Sequence, residues 1–476
     1  MTTPDNTAKK LTLRSLPPVN ALLAHPKMMA LNRTYSAAER AAAARSAVAS
    51  ARRSILAGNP GEVYLDTLVS EAVASLCVGS TQSLRSAVNA TGIVLHTGLG
   101  RSRLSVQATN AILSAASGHS LLELDPESGA RGNRQKHVNS LLCELTGARA
   151  AGVVNNCAGA VSLAIAVLAE GREVIISRGE LVEIGGAFRL PDIINAAGAK
   201  LVEVGTTNRT RLTDYEAAIT PDTALILRCH PSNYSVIGFT EAASDQDLVI
   251  LGRTHGIPVM EDQGSGSLLD PSVLCIQASH GSLPASVKRG FSVIVASGDK
   301  LMGATQAGII LGEPEIVDRI LKFPLARAMR VDKLTLAGLE ATLHQYRNPE
   351  QAVRDIPTLR YLARDPADIR RMARNIQRKL KAILPANEVA VSTIDDVSHT
   401  GGGSIPGDNL PTTCVRIQSI GASWSAQRIS KEFRNTSPAV VGRIKDDAFL
   451  LDPRTVDQHE VALIVKAAVE MFFSQK

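Results

Sequence analysis

The chain has 476 residues, 45% hydrophobic and 20% charged, which excludes a disordered or fibrous protein and leaves room for two or three domains. Its formal charge of +6 is uneven, because residues 1–60 hold nine Lys or Arg against two acids, a surplus of +7, and the remainder sums to −1. Only 3% of residues are aromatic, which argues against a base-stacking platform for single-stranded nucleic acid.

The opening MTTPDNTAKKLTLRSLPP lacks the apolar stretch of a signal peptide. The longest mostly apolar run without charge, residues 150–169, is broken by Asn155-Asn156 and two glycines, so it makes a poor membrane span and the expectation is a cytoplasmic protein. Six cysteines (77, 143, 157, 229, 275 and 414) form no Cys-x-x-Cys pair, so reduced and mostly buried thiols are expected rather than a disulfide framework or a zinc or other metal cluster. Ser36-Ala-Ala-Glu39 has capping-box spacing and opens an alanine-rich helix that ends near Gly58. On it Arg45, Arg52 and Arg53 share one side and Val48 and Ile55 another. Such a row binds phosphates without reading sequence, or is simply a solvated face; if nucleic acid binds here, a folded RNA recognised by shape and backbone is the better match.

From about residue 90 to 312, β-branched runs alternate with helical stretches: Ala151–Asn155, Glu173–Ser177, Leu201–Val204, Ala224–Cys229, Pro258–Asp262, Phe291–Ala296 and Gly308–Leu311. Near-continuous apolar strands between helices predict an α/β fold, a mostly parallel seven-stranded sheet covered on both faces, with ligands beyond the carboxyl ends of the strands. Three polar clusters stand at such ends. Asn155-Asn156-Cys157-Ala158-Gly159 precedes the apolar helix VSLAIAVLA, whose N-terminus suits a phosphate. Glu261-Asp262-Gln263-Gly264-Ser265-Gly266 places an acid at a strand end, followed by glycines that let a ligand approach, able to hold a protonated ring nitrogen or to cap the next segment. Ser297-Gly298-Asp299-Lys300 puts a lysine where desolvation lowers its proton affinity and makes it a nucleophilic amine for an aldehyde. An amine, a carboxylate and an anion cradle together suit pyridoxal 5'-phosphate, with Asn156, Cys157, Ala158, Asp262, Ser297 and Lys300 as its binding residues. Arginines at 101, 131, 134, 327 and 330 exceed what one phosphate needs and suggest a second anion.

Residues 333–382 read as a long helix rich in Arg and Lys. A glycine loop at 401–407 follows, then strands at Thr413–Ile417, Ala439–Ile444 and Ala448–Leu451 and an amphipathic helix from about Asp457. The expected division is a helical basic N-terminal domain (1–85), a large cofactor-binding α/β domain (86–330), and a linking helix with a small α+β C-terminal domain (331–476).

Several stretches carry a family resemblance: Leu16-Pro-Pro-Val-Asn-Ala-Leu-Leu23, Asn89-Ala-Thr-Gly-Ile-Val-Leu-His-Thr-Gly-Leu-Gly-Arg101, Ser177-Arg-Gly-Glu-Leu-Val-Glu-Ile-Gly-Gly-Ala-Phe-Arg189, Val204-Gly-Thr-Thr-Asn-Arg209, Ser232-Asn-Tyr-Ser235, the motif ending at Lys300, and Val441-Gly-Arg-Ile444. In these the chain resembles the bacterial L-seryl-tRNA(Sec) selenium transferases, the selenocysteine synthases. The resemblance implies a fold-type-I pyridoxal phosphate enzyme with an N-terminal tRNA-binding domain (Arg45, Arg52 and Arg53 falling on its basic helix), assembled as a homo-oligomer, a ring of dimers (a decamer). It implies that seryl-tRNA(Sec) becomes selenocysteinyl-tRNA(Sec) by β-elimination of water and addition of selenium from selenophosphate to an aminoacrylyl-tRNA intermediate. Lys300 is then the Schiff-base lysine, Asp262 the partner of the ring nitrogen and Asp299 an active-site acid. Arg101, Asn233, Arg327 and Arg330 bind the phosphate-like end of the selenium donor, with Thr206, Thr207 and Arg134 near the same pocket. The chain departs from the family at Gly98, commonly Asn, and at Leu124-Asp125-Pro126, commonly Tyr-Asp-Leu. Two alternatives stay open: a lyase on a small phosphorylated amine such as an amino-sugar acid, and an inactive tRNA-binding relative.

Overall fold

The computed structural model describes residues 13, 15–57, 64–80, 83–184, 188–230, 233–234, 236–274, 281–405, 409–421 and 423–473. Features noted above at Lys9, Lys10, Arg14, Gly58, residues 185–187, Ser232, Ser235, Cys275 and residues 406–407 lie outside this set. The chain divides into two units, Met1–Arg85 and Ser86–Lys476. No helix among the described residues is long and apolar enough to cross a membrane, and no group of His, Cys, Asp or Glu among them has the arrangement of a metal site.

In the first unit, helix α1 (Ala37–Leu56) begins at the expected capping box: Ser36 Oγ accepts from the Glu39 N–H at 3.2 Å, and the Glu39 carboxylate accepts from the Ser36 N–H at 2.8 Å. The small side chains Ala43, Ala44 and Ala47 form its seam, packing with Leu22, Met28 and with Leu68, Val69, Ala72 and Leu76 of helix α2 (Leu65–Ser80). Ile55 is buried and Val48 partly so, while Arg45, Arg52 and Arg53 are exposed. The apolar and basic residues thus separate as a 3.6-residue period requires.

The second unit is built on seven strands: β1 (Ala150–Val154), β2 (Glu173–Ser177), β3 (Lys200–Val204), β4 (Thr223–Cys229), β5 (Val259–Gly264), β6 (Val293–Ser297) and β7 (Gly308–Gly312). They pair in the order β1-β7-β6-β5-β4-β2-β3, parallel except that β7 runs against both its neighbours. All seven runs expected from the sequence are present, with ends moved by at most two residues. Successive side chains enter opposite cores: Val153, Ile175, Ile226 and Ile294 face one, and Val154, Val174, Ile176, Leu225, Leu227, Val293 and Val295 the other. Both faces are buried, which is why the strands read as unbroken apolar runs, and each such Leu or Ile contributes about 1.5–3 kcal/mol of transfer free energy. Helix α3 (Cys157–Ala169) covers the second face through Ala160, Val161, Ala164 and Ile165.

The long helix expected over residues 333–382 is four helices, Lys333–Gln345, Pro349–Asp355, Pro357–Leu362 and Pro366–Ile383. Each of the last three starts on a proline, which has no N–H to continue the preceding helix and fits a first helical turn. The first of the four packs Leu336, Leu339 and Leu343 into the sheet's own core. The C-terminal part carries an antiparallel sheet, β8 (Val389–Ser398), β9 (Leu410–Ser419), β10 (Arg443–Lys445) and β11 (Ala448–Leu451), in the order β8-β9-β11-β10. The sequence reading missed β8, whose exposed positions include Asp395, a poor strand former. The expected strand at 439–444 is divided: Ala439–Val441 pairs in parallel with Ala87–Asn89, and Arg443–Lys445 joins the small sheet. The last helix starts at Glu460, whose carboxylate accepts from the Asp457 N–H at 2.8 Å. Five described cysteines form no disulfide; Cys229 and Cys414 are buried, Cys143 and Cys157 intermediate, and Cys77 exposed, so the thiols are less uniformly buried than expected.

Candidate active site

Lys300 follows β6 in a turn, and its neighbours lock the backbone there. The Leu301 N–H donates to Ser265 O at 3.0 Å, and Ser102 Oγ lies 2.6 Å from Asp299 O and 2.9 Å from Lys300 O, donating to these carbonyls. Ser102 escaped the sequence reading, although it directly follows the singled-out Arg101. Arg101 itself has φ +60°, uncommon for a residue with a side chain, and follows Gly100 at φ +92°. Its guanidinium meets the Asp299 carboxylate at 2.8 Å.

Lys300 is 5% exposed and Asp262 7% exposed, and both line one cavity of about 420 Å³ with Arg101, Asn156, Cys157, Ala158, Ser297 and Asp299. Burial, with Arg101 adding to it, holds the Lys300 amine below its ordinary proton affinity against the opposing pull of the Asp262 and Asp299 carboxylates. Burial likewise pushes the Asp262 carboxyl up to about 6, opposed chiefly by Lys300. Gly264 stands beside both, where a Cβ would lie at ordinary contact distance, 3.9 Å from Lys300 Nζ and 3.7 Å from Asp262 Oδ1, and its φ of +65° is what favours glycine there. At the cavity's other wall Asn156 caps α3, its side chain accepting from the Gly159 N–H at 2.8 Å while its carbonyl accepts from Ala160. The first two N–H groups of the helix, those of Cys157 and Ala158, are left for an anion. A buried amine, a buried carboxylate and an open helix N-terminus around one glycine-lined cradle fit pyridoxal phosphate: Lys300 for its aldehyde carbon, Asp262 for its ring nitrogen, and Asn156, Cys157, Ala158 and Ser297 around its phosphate.

The remaining predicted residues divide. Of the arginines, Arg101 lines the lysine's cavity. Arg134, Arg327 and Arg330 line a second cavity of about 300 Å³ that shares no residue with the first. There Glu123 receives Arg134 Nη2 at 2.6 Å, Arg131 Nη2 at 3.0 Å and Arg330 Nη1 at 3.3 Å, and its carboxyl is held below the usual range by hydrogen bonds from Arg134 and Arg131. Met329 O accepts from the Asn155 N–H at 2.8 Å, which ties the segment carrying Arg327 and Arg330 to the chain just ahead of α3. The departure at Leu124-Pro126 falls beside Glu123, in a loop closed by the Leu124 and Arg131 bridge. Thr206, Thr207 and Asn233 do not line the lysine's cavity: Thr206 bonds Arg209 O at 3.1 Å, Thr207 backs onto Gly179, and Asn233 donates to Glu183 O at 2.7 Å. Residues around Lys300 that the sequence reading did not assign include Thr97, Phe188, Cys229, His230 and Gln306, while Gly264 lines the cavity as a glycine expected to let a ligand approach. Cys229 and His230 had a signal in their place at the carboxyl end of β4, where ligands gather.

The family described as L-seryl-tRNA selenium transferase matches residues 87–457. The L-seryl-tRNA(Sec) selenium transferase of Moorella thermoacetica is 45% identical over 464 residues, covering 96% of each chain. That of Geobacter sulfurreducens is 44% identical over 458 residues, covering 96% of this chain and 98% of its own. Among solved structures, D-glucosaminate-6-phosphate ammonia-lyase superposes with a TM-score of 0.56 at 21% identity, over 82% of this chain and 96% of that one. The seven-stranded α/β arrangement is that of fold-type-I pyridoxal phosphate enzymes.

Proposed function

Because the chain belongs to the L-seryl-tRNA selenium transferase family, we propose that it converts seryl-tRNA(Sec) to selenocysteinyl-tRNA(Sec) with selenophosphate as the selenium donor. It is a pyridoxal phosphate enzyme. The observation that carries the reading is the enclosure of Lys300 and Asp262 in one cavity with the N-terminus of α3. When bound, pyridoxal phosphate supplies the electron sink that lets the carbon–hydrogen bond beside an amino group break. Lys300 Nζ, its ammonium form disfavoured by burial, takes the α-proton of the seryl group and returns a proton at the end of the reaction. Asp262 stays ionised to hold the ring nitrogen in its protonated form, and Asp299, tied to Arg101, sets the charge beside the amine. The β-hydroxyl departs as water, selenium bonds to the β-carbon, and a water molecule takes up the donor's phosphoryl group as the P–Se bond breaks, releasing phosphate.

The test is product formation: the protein loaded with pyridoxal phosphate, given seryl-tRNA(Sec) and selenophosphate, yields selenocysteinyl-tRNA. Inactivity of the loaded protein on these substrates, together with ammonia release from a phosphorylated amino-sugar acid, overturns the reading in favour of a small-amine lyase.

Arg101, Arg327 and Arg330 receive the phosphate end of the donor, with Arg134 beside the last two, while Asn233, Thr206 and Thr207 line neither cavity. The protein works as a homo-oligomer, a ring of dimers, in the cytoplasm. Separate cavities for Lys300 and for Arg327 and Arg330 within one chain favour a site completed by a second copy. Mixing Lys300→Ala with an Arg327→Ala/Arg330→Ala double variant, each inactive alone and dissociated and reassembled together, is then expected to regain activity. A mixture as inactive as its components means that each chain uses its own arginines.

A further inference from the structure

Two thiols close on the Asp262 carboxylate from different elements: Cys157 Sγ lies 3.7 Å from Oδ1 and Cys229 Sγ 3.9 Å from Oδ2. The backbone dictates this meeting. Cys229 is the register partner of Asp262 on the adjacent parallel strand, so the two side chains stand next to each other on one face of the sheet. That face is the one covered by α3, and Cys157 is the first residue of α3. Both thiols are pushed to higher pKa, mainly by burial and further by Asp262, so they remain protonated and the carboxylate oxygens are the acceptors.

The other groups around Asp262 do not duplicate this contact. Lys300 comes from the turn after β6, His230 follows Cys229, Ser297 lies against the Cys157 thiol, and across the cavity Arg101 is committed to Asp299. The Gly264 N–H adds a backbone donor. Two weak side-chain donors thus meet this buried carboxylate, one at each oxygen, while Lys300 acts on it through its charge.

We propose that Cys157 and Cys229 are positioning residues that hold the Asp262 carboxylate in one orientation by S–H donation to both oxygens, keeping it ionised while leaving it a stronger base toward the cofactor's ring nitrogen than hydroxyl or amide donors would. The proposal rests on the reading of Asp262 as the partner of that nitrogen. It moves Cys157 from a residue of the phosphate cradle alone to one whose side chain serves the opposite end of the cofactor.

The test uses the full chain with Cys157→Ala, Cys229→Ala, both together, and the corresponding Ser variants. In cofactor-free protein the protonated carboxyl of residue 262 is followed against pH by infrared difference spectroscopy and assigned by its loss in Asp262→Asn. Hydrogen bonds to the ionised form lower a carboxyl pKa, so removing both is expected to raise the protonation midpoint by about 0.5–1 pH unit, with each single Ala variant moving it less and the Ser variants, whose hydroxyls are stronger donors than thiols, taking it below the wild-type value. The visible band of the loaded double variant is expected to fade on acidification at a pH higher by a similar amount. A wild-type midpoint in a folded double variant, or in both single Ala variants where the double does not fold, overturns the clamp. Wild-type cofactor affinity and spectrum in Asp262→Asn would instead sink the assignment of Asp262, a failure the cofactor-free infrared midpoint distinguishes from that of the thiols.

Discussion

Lys300→Ala protein, purified and supplied with pyridoxal phosphate, is expected to lack the visible absorbance of the wild type and to lose product formation by about 10³-fold or more. Two roles disappear with one amine: the covalent attachment of the cofactor and the base that moves the α-proton. The environment of this lysine suits the proposed roles better than it serves stability. An ammonium that is 5% exposed, with Arg101 adding a second positive charge nearby, is costly to keep unless the amine is used. Removing the charge therefore should not unfold the protein, and an unchanged melting temperature with lost colour is the expected pair of results. A Lys300→Ala protein that keeps both its colour and its activity would show that another amine carries the cofactor.

Replacing Arg45, Arg52 and Arg53 together by Ala is expected to weaken tRNA binding by about 10²-fold at physiological salt and to reduce the slope of log affinity against log salt by about one for each phosphate no longer neutralised. The three side chains project from α1 on the side away from its alanine seam, so their loss leaves the helix and its packing intact. The same reasoning applies to deletion of residues 1–85. That unit has a hydrophobic core of its own, so the remaining chain should keep its cofactor and its colour while losing tRNA. Filter binding of labelled seryl-tRNA(Sec) across a salt series reads the first effect and absorbance the second. Undiminished affinity with an unchanged salt slope would return the arginine row to a solvated face.

Much of the sheet was legible because period-two burial on two faces leaves an apolar run that few other structures produce. Lys300 and Asp262 were legible for a related reason, since a charged residue at the end of such a run needs a use. The arginines were not. Arg101 and Arg330 look alike in the sequence, yet one is turned by a positive φ onto Asp299 and the other is drawn to Glu123, and neither backbone path is written in local residue preference. Helix breaks at Pro349, Pro357 and Pro366 are legible only from proline's preference for a first helical position, because the connections before them, residues 346–348, 356 and 363–365, are too short to interrupt the Arg- and Lys-rich helical pattern.

The amino-acid sequence by itself determined the strands, the capped N-terminal helix with its basic side, and the lysine, carboxylate and helix terminus that together call for a phosphorylated aldehyde, since each depends on alternation, capping or residue chemistry within a few positions. Tertiary structure alone decided that Cys157 and Cys229 meet on Asp262 and that the arginines part into two cavities. Those outcomes depend on which parallel strands become neighbours and on how far each is shifted along the other, and register of that kind is set by the packing of the whole sheet against its helices.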